Sequence, residues 1–375
     1  MGKKKVLFID GPLGGGGAER VLIDILRNFD YARFEVDLAV ICRGGALMGE
    51  VPNQVNVIEL WRGYSWDYKV AFRLSKWFHC NLLLSRKMNG RKLRRDYDVE
   101  ISFLEGMPLK LGALRTTAAR KITWVHADLD THRYEEGQFF RGEELAAYNK
   151  MDVVVNVSKD CERAFVRRFP GCESQLRVIY NPIDRDKIVR MASEDKSEKN
   201  ENQEKLTVTT VGRLTPPKKP ERLLQVAKMA AEADLPVRFT WIGDGELRQS
   251  VEKMRDDMGL SEVVELKGFC PNPFPLIRRA DIMMVTSDFE GFCLVICEAM
   301  CLGVPVISTR TAGPSEILGD NEYGILTELT PESLFEALRH WVENPEERKV
   351  YAQKALSRPD IFSVASTMNQ IYDLI

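Results

Sequence analysis

Charge of one sign is what this sequence most lacks. Its 53 Lys plus Arg nearly cancel 55 Asp plus Glu, leaving a formal net charge of −2 over 375 residues. Without a global polycation the chain is poorly suited to nucleic acid, and that function class is set aside. Long apolar runs are missing too: no stretch reaches the roughly 18–20 residues that a spanning helix needs. The start, Met1-Gly2-Lys3-Lys4-Lys5, runs into only a short apolar segment, Val6 to Ile9. A secretory signal would need a longer apolar core and a small-residue cleavage site. The eight cysteines are scattered, mostly inside apolar runs, and none follows a zinc-type spacing. Reduced thiols in a cytoplasmic protein are therefore expected.

What is present is a globular balance, 44% apolar and 29% charged, in a chain long enough for two cores. The first half alternates apolar strands with amphipathic helical stretches. Strands are predicted over Lys5 to Asp10, Phe34 to Cys42, Val99 to Leu104, Lys121 to Val125 and Asp152 to Val157. A helix over Ala18 to Phe29 places Val21, Leu22, Ile25, Leu26 and Phe29 on one face. The second half repeats the pattern, with strands over Thr207 to Val211, Arg238 to Ile242, Val263 to Lys267, Ile282 to Ser287 and Val304 to Ser308. Helical stretches at Glu221 to Ala233 and Glu246 to Met258 fall between them. Such alternation requires crossover connections, so the expected fold is α/β, with two Rossmann-like doubly wound domains. The segment Met191 to Lys205 (MASEDKSEKNENQEK) has almost no apolar residue and reads as a solvated linker. The expected division is therefore residues 1–190, a linker at 191–205, residues 206–357, and a terminal helix at 358–375 that packs back on the first domain.

Glycine run Gly14 to Gly17 lies between a strand and a helix, where free N–H groups and the helix dipole favour an anion. A nicotinamide site would add an acidic residue at the end of the next strand, but that strand ends in Cys42-Arg43. In the second half, Gly212-Arg213-Leu214-Thr215-Pro216-Pro217-Lys218 puts two cations past a strand end. Arg and Lys suit a pyrophosphate there; a solvated charged loop is the plain alternative. Further on, Glu290 falls in a turn and Glu298 in the helix that follows. Eight residues at ~1.5 Å each separate the two by up to ~12 Å, about the reach from a hexose to the ribose of one nucleotide sugar. The helix start between them has N–H groups free to receive phosphate oxygens.

Together these residues resemble the retaining glycosyltransferases of family 4, whose fold is GT-B. The resemblance rests on Glu290-x7-Glu298, the Gly-Arg-Leu-x3-Lys run, and Gly243-Asp244-Gly245-Glu246-Leu247. It rests also on Asn272-Pro273-Phe274-Pro275 before Ala280-Asp281, Gly313-Pro314-Ser315-Glu316-Ile317-Leu318, the N-terminal Gly-Gly-Gly-Gly-Ala-Glu-Arg-Val-Leu, and Ile179-Tyr180-Asn181-Pro182-Ile183-Asp184. It covers nearly the whole chain apart from Trp61 to Asp96 and the linker.

The resemblance implies an acceptor-side domain, a nucleotide-sugar-binding domain and a cleft between them. Arg213 and Lys218 would hold the donor diphosphate. Glu290, helped by the backbone of Gly291, Phe292, Cys293 and Leu294, would bind sugar hydroxyls, and Glu298 the ribose diol. Gly16 and Gly17 would approach the donor from the other domain, and His126 would face the transferred sugar. Cys293 stands where relatives often carry Gly or Pro. The implied activity is transfer of a hexose or N-acetylhexosamine, with UDP as the expected nucleotide, to a saccharide or lipid-linked acceptor. Cell-surface polysaccharide or glycolipid synthesis is the implied setting, and no metal or other cofactor is expected. The alternatives are an inactive GT-B sugar-binding scaffold and a GT-B enzyme of other chemistry, such as an epimerase.

Two metal readings are discounted. Asp128-Leu129-Asp130 spells the Asp-x-Asp of metal-dependent glycosyltransferases, but those have a different fold. Cys293, Cys297 and Cys301 share one side of a helix among Leu, Ile and Met, which suits core packing. One segment stands apart. Arg62 to Tyr97 carries ten Lys/Arg against Asp67 and Asp96, a net of +8, with Trp, Tyr and Phe interleaved. Within residues 61–97 that mixture predicts an interfacial helix on an anionic membrane surface, placing the protein peripherally on the inner face of the cell membrane. The alternative is a solvated basic face over ordinary core aromatics.

Overall fold

A computed structural model describes residues 2–117, 119–130, 137–195 and 204–375. The chain forms two compact units, residues 1–182 with 364–375, and residues 183–363. Each holds one parallel sheet flanked by helices, the doubly wound arrangement of a Rossmann-like domain.

In the first unit the strands are β1 (Lys4–Asp10), β2 (Phe34–Cys42), β3 (Asn56–Trp61), β4 (Val99–Ser102), β5 (Arg120–Val125), β6 (Val153–Asn156) and β7 (Gln175–Val178). They lie in the order β3-β2-β1-β4-β5-β6-β7, with Val6 level with Val36 on one side and Val99 on the other. Val6–Ile9 of β1 and Val153–Val155 of β6 are unbroken apolar runs because both faces are covered, while β4, buried along its length, alternates Val99 and Ile101 with Glu100 and Ser102. The outer two, β3 and β7, were not expected from the sequence. Each is an edge strand with exposed or half-buried positions, so the apolar signal is diluted. After β1 the helix Gly17–Arg27 buries Val21, Leu22, Ile25 and Leu26, as its periodicity predicts.

Helix Val364–Leu374 belongs to this unit. The Tyr372 ring stacks on Phe34 at 5.5 Å, and its hydroxyl accepts from the Asp30 N–H at 2.8 Å. Thr367 donates to the Tyr180 carbonyl at 3.0 Å. These contacts require the end of the chain to return to the first sheet.

In the second unit β8 (Leu206–Val211), β9 (Val237–Ile242), β10 (Val264–Gly268), β11 (Ile282–Val285), β12 (Val306–Thr309) and β13 (Ile325–Thr327) lie in the order β10-β9-β8-β11-β12-β13. Trp241 and Trp341 anchor its core, with Leu223, Val226 and Leu338. The three-residue β13 was not expected either; it is too short to carry a pattern. Helix Arg185–Ala192, expected with the first domain, belongs here. The Ile183 N–H bonds to the Phe362 carbonyl at 2.8 Å and Ile183 bridges to Ser363, which ties the start of this unit to its end. Of the expected linker at 191–205, residues 196–203 lie outside the described residues.

Candidate functional site

In an open α/β sheet a ligand binds past the carboxyl ends of the strands, where the strand order reverses. In the second unit that point lies between β8 and β11, because β9 continues to one side and β12 to the other. Arg213 and Lys218 follow β8, and Glu290 follows β11, so all three arrive at this edge.

The loops are fixed by backbone contacts. Leu214 N–H donates to the Asp244 carbonyl and Leu247 N–H to the Leu214 carbonyl, each at 3.0 Å. A Cβ on Gly243 would lie 2.0 Å from the Gly212 oxygen, and one on Gly245 2.4 Å from the Leu214 oxygen. Only glycine allows these loops to meet. On the β11 side, Asp288 N–H donates to the Pro217 carbonyl at 2.8 Å, and Thr286 Oγ1 donates to the Lys218 carbonyl at 2.8 Å. Arg222 clamps the same turn through the Asp288 carboxylate at 2.7 Å. The Gly-Arg-Leu loop and the Ser-Asp-Phe-Glu-Gly loop are thus one rigid wall.

On that wall Lys218 Nζ meets Glu290 Oε1 at 2.5 Å, and Ser287 Oγ donates to the same oxygen at 2.6 Å. Burial opposes the ammonium, yet the adjacent Glu290 charge holds Lys218 above the ordinary lysine range. It stays protonated at neutral pH. The Arg213 side chain is exposed and makes no hydrogen bond or ion pair among the described residues. A guanidinium with no partner, beside a charged lysine, is a ready anion site.

Helix Leu294–Cys301 begins next to Glu290. Its N-cap, Cys293, has φ 73, a left-handed backbone that favours glycine. Burial raises the Cys293 thiol well above its usual range, with the Glu290 charge adding to it, so it is neutral packing and no nucleophile. Cys297 and Cys301 are buried beside it. Half-buried Gly291 precedes Phe292, whose ring packs edge-on against Phe362 at 5.2 Å. A Cβ on Gly313 would lie 2.3 Å from the Phe292 oxygen, and Gly313 N–H donates to the Glu290 carbonyl at 3.0 Å. The conformation of the Glu290 turn therefore depends on the next helix start. Leu294 and Glu298 are half-buried on the first two turns of their helix.

In the first unit the strand order reverses between β1 and β4. Gly16 caps helix Gly17–Arg27 in extended conformation, and the Glu19 carboxylate folds over it, 2.3 Å from where a Cβ would be. His126 follows β5. Burial lowers its imidazole to about 3, partly opposed by a hydrogen bond to the Phe103 backbone, so the ring is neutral. Its Nε2 is buried without a partner. Two carboxyls that the sequence reading did not single out lie nearby. Glu105 accepts from the His126 N–H at 3.0 Å, and Asp10 accepts from the Gly11 N–H at 2.7 Å. Burial raises both, and the Glu19 and Glu105 charges disfavour the Asp10 anion further. A carboxylate at a strand end beside glycine was the available signal for Asp10. Of the discounted metal pair, Asp130 is tied to Arg167 at 2.6 Å and Asp128 accepts from the Asp130 N–H at 2.9 Å.

Comparison with known proteins identifies the family and the fold. The model "Glycosyltransferase Family 4" matches residues 15–187, and "Glycosyl transferases group 1" matches residues 191–358. The chain belongs to the GT-B glycosyltransferases. One relative is the N-acetylgalactosamine-N,N'-diacetylbacillosaminyl-diphospho-undecaprenol 4-alpha-N-acetylgalactosaminyltransferase of Campylobacter jejuni, 30% identical over 57% of this chain and 57% of that one. The chain spans about half the length of the first curated relatives it matches. Another Campylobacter jejuni relative, an alpha-1,4-N-acetyl-D-galactosaminyltransferase named for an undecaprenol-linked acceptor, is 25% identical over 99% of this chain and 98% of its own. Among solved structures, Anabaena HepE in complex with UDP has a TM-score of 0.77 at 21% identity, covering 98% of each chain. Sucrose-phosphate synthase from Thermosynechococcus elongatus has 0.79 at 17% identity, covering 99% of this chain and 98% of that one.

Proposed function

We propose that the chain is a retaining glycosyltransferase that moves a hexose or N-acetylhexosamine from a UDP-sugar to a saccharide or lipid-linked acceptor. Cell-surface polysaccharide or glycolipid synthesis on the cytoplasmic side of a membrane is the setting that goes with it. The observation that carries the reading is the unpaired Arg213 guanidinium beside the Lys218–Glu290 pair at the switch point of the second sheet. The UDP complex of HepE and the undecaprenol-linked acceptors named for the Campylobacter relatives lend it support.

In this reading Arg213 grips the diphosphate with two N–H groups, and Lys218 turns its remaining protons to the same phosphates while Glu290 holds it. Glu290 also takes sugar hydroxyls with the Gly291–Leu294 backbone, and Glu298 accepts from the ribose diol. The anomeric carbon–oxygen bond breaks toward the diphosphate as the acceptor oxygen bonds on the same face. The acceptor proton leaves on a phosphate oxygen. Negative charge developing on the departing diphosphate is what Arg213 and Lys218 stabilise. The site uses no metal in this account.

A panel of UDP-sugars, each tested for UDP release and for product anomeric configuration by proton NMR, tests the reading. The expected result is release with one or two donors, an α-linked product from an α-linked donor, and no change on adding EDTA. An inverted product would refute retention, EDTA inhibition would refute the metal-free site, and no release from any donor would leave only a sugar-binding scaffold.

A further inference from the structure

The segment 61–97 divides into two aromatic sets with different surroundings. Trp61, Tyr68 and Phe72 join the core of the first unit with Ala71, Leu84 and Met88. Helix Trp66–Phe78 and helix Leu82–Met88, joined through His79 in left-handed conformation, pack on that core by one face each. The opposite faces carry the second set. Trp66 is 79% exposed, Trp77 67%, Phe78 75% and Leu82 72%.

Helical geometry makes this a surface and not a scatter. Positions 66, 70, 73 and 77 recur at i, i+4, i+7 and i+11, so Trp66, Val70, Arg73 and Trp77 share one stripe. That stripe lies opposite buried Ala71 and Ser75. On the shorter helix Leu82 and Arg86 are four apart and face away from buried Leu84 and Met88. Solvent faces of helices rarely carry tryptophan, since large exposed apolar groups bring no stability to the folded chain.

Cations surround these rings. The side chains of Lys69, Arg73 and Arg86 are exposed and make no hydrogen bond or ion pair among the described residues. Lys76 Nζ lies 5.7 Å from the Trp77 ring centre. The acidic residues of the segment do not neutralise them: Asp96 is engaged by Lys5 at the other end, and Asp67 accepts from Ser65. Among the described residues, no helix is long and apolar enough to cross a membrane. The surface thus offers insertable aromatic tips in a positive field.

We infer that the outer face of helices Trp66–Phe78 and Leu82–Met88 docks the first unit on an anionic lipid bilayer. Tryptophan and leucine enter the headgroup boundary while Lys69, Arg73 and Arg86 meet lipid phosphates. Charge complementarity selects a lipid surface over a second copy, since the same +8 segment on two chains would repel itself. This docking goes beyond glycosyl transfer, and its measurement needs neither donor nor turnover.

Co-sedimentation of the full chain with vesicles tests it, comparing pure phosphatidylcholine with phosphatidylcholine mixed with phosphatidylglycerol. Binding to the mixed vesicles at low salt, weakened by added salt, is expected. Changing Lys69, Arg73 and Arg86 to Glu together should lower partitioning by about a hundredfold, each cation contributing separately. Trp66→Ala with Trp77→Ala should lower it by roughly tenfold or more and abolish any blue shift of tryptophan emission on binding. All these side chains are exposed, so unchanged circular dichroism is expected in every variant. Failure to bind anionic vesicles, or equal binding to pure phosphatidylcholine, overturns the inference. A dimer in analytical ultracentrifugation that Trp77→Ala dissociates, with vesicle binding unchanged, would overturn it in favour of a self-association surface.

Discussion

Arg213→Ala and Lys218→Ala separate chemistry from folding, because the structure places the two cations differently. Arg213 is exposed and unpartnered among the described residues, so removing it should change stability by less than about 0.5 kcal/mol. Its turnover should nonetheless fall by ~10²–10³, or about 2.7–4 kcal/mol of transition-state stabilisation, as for loss of one preorganised charge contact. Lys218 sits 2.5 Å from a Glu290 carboxylate that is only 11% exposed. At an effective dielectric of ~20 the gross attraction at that distance is roughly 7 kcal/mol, but desolvation offsets most of it. Truncating Lys218 leaves a carboxylate largely out of water, and a net loss of about 1–3 kcal/mol is expected. For a unit of this size that is a melting-temperature drop of about 3–10 °C. Glu290→Gln in the Lys218→Ala background should recover part of the drop, since it removes the orphaned charge. Thermal melts by circular dichroism and a UDP-release assay on the same samples give both readouts. Parental turnover in Arg213→Ala would refute the anion site, and equal melting-temperature losses in both alanine variants would refute the geometry. Arg213→Lys, which keeps charge but loses the planar fork, should fall between.

Three further outcomes follow from other positions. Gly313→Ala should destabilise the second unit by about 1–3 kcal/mol through overpacking, because its Cβ meets the Phe292 backbone, and should weaken donor binding by shifting the Glu290 turn; calorimetry and a donor titration would show either part missing. Asp10 has its folded pKa raised by burial, so it contributes stability when protonated and loses it as pH rises through that raised value. Asp10→Asn should therefore melt near the parent at acid pH and above it by pH 8, by about 1–3 kcal/mol; a gain confined to acid pH would reverse the assignment. His126 is lowered to about 3, so the pH profile of transfer should show no His126 titration between pH 5 and 8, and an imidazole NMR titration finding it near 6.5 would contradict the buried neutral ring.

The inner strands and the amphipathic helices were legible because their signals are local. Val6 to Ile9 and Ile282 to Val285 are short apolar runs that a doubly covered parallel sheet requires. The edge strands β3 and β7 were not, since half of an edge strand's surroundings is solvent and its residues need not be apolar. Helix Arg185–Ala192 went to the second unit for a reason outside its own residues, its packing beside helices Phe274–Arg279 and Leu294–Cys301.

At the site, residue types and spacing alone set Arg213, Lys218, Glu290 and Glu298 at the edge of one sheet, because strand ends and helix starts fix chain position. Sequence alone also gave segment 61–97 its charge and its aromatics. Which of those rings are core and which face solvent was a tertiary outcome, since helical periodicity marks faces but not the neighbour that covers one. The pairing of Lys218 with Glu290, the freedom of Arg213, and the buried carboxyls Asp10 and Glu105 were likewise decided only by folding. Each depends on loops from strands far apart in the chain being brought within hydrogen-bond distance, and on the low dielectric that burial creates there.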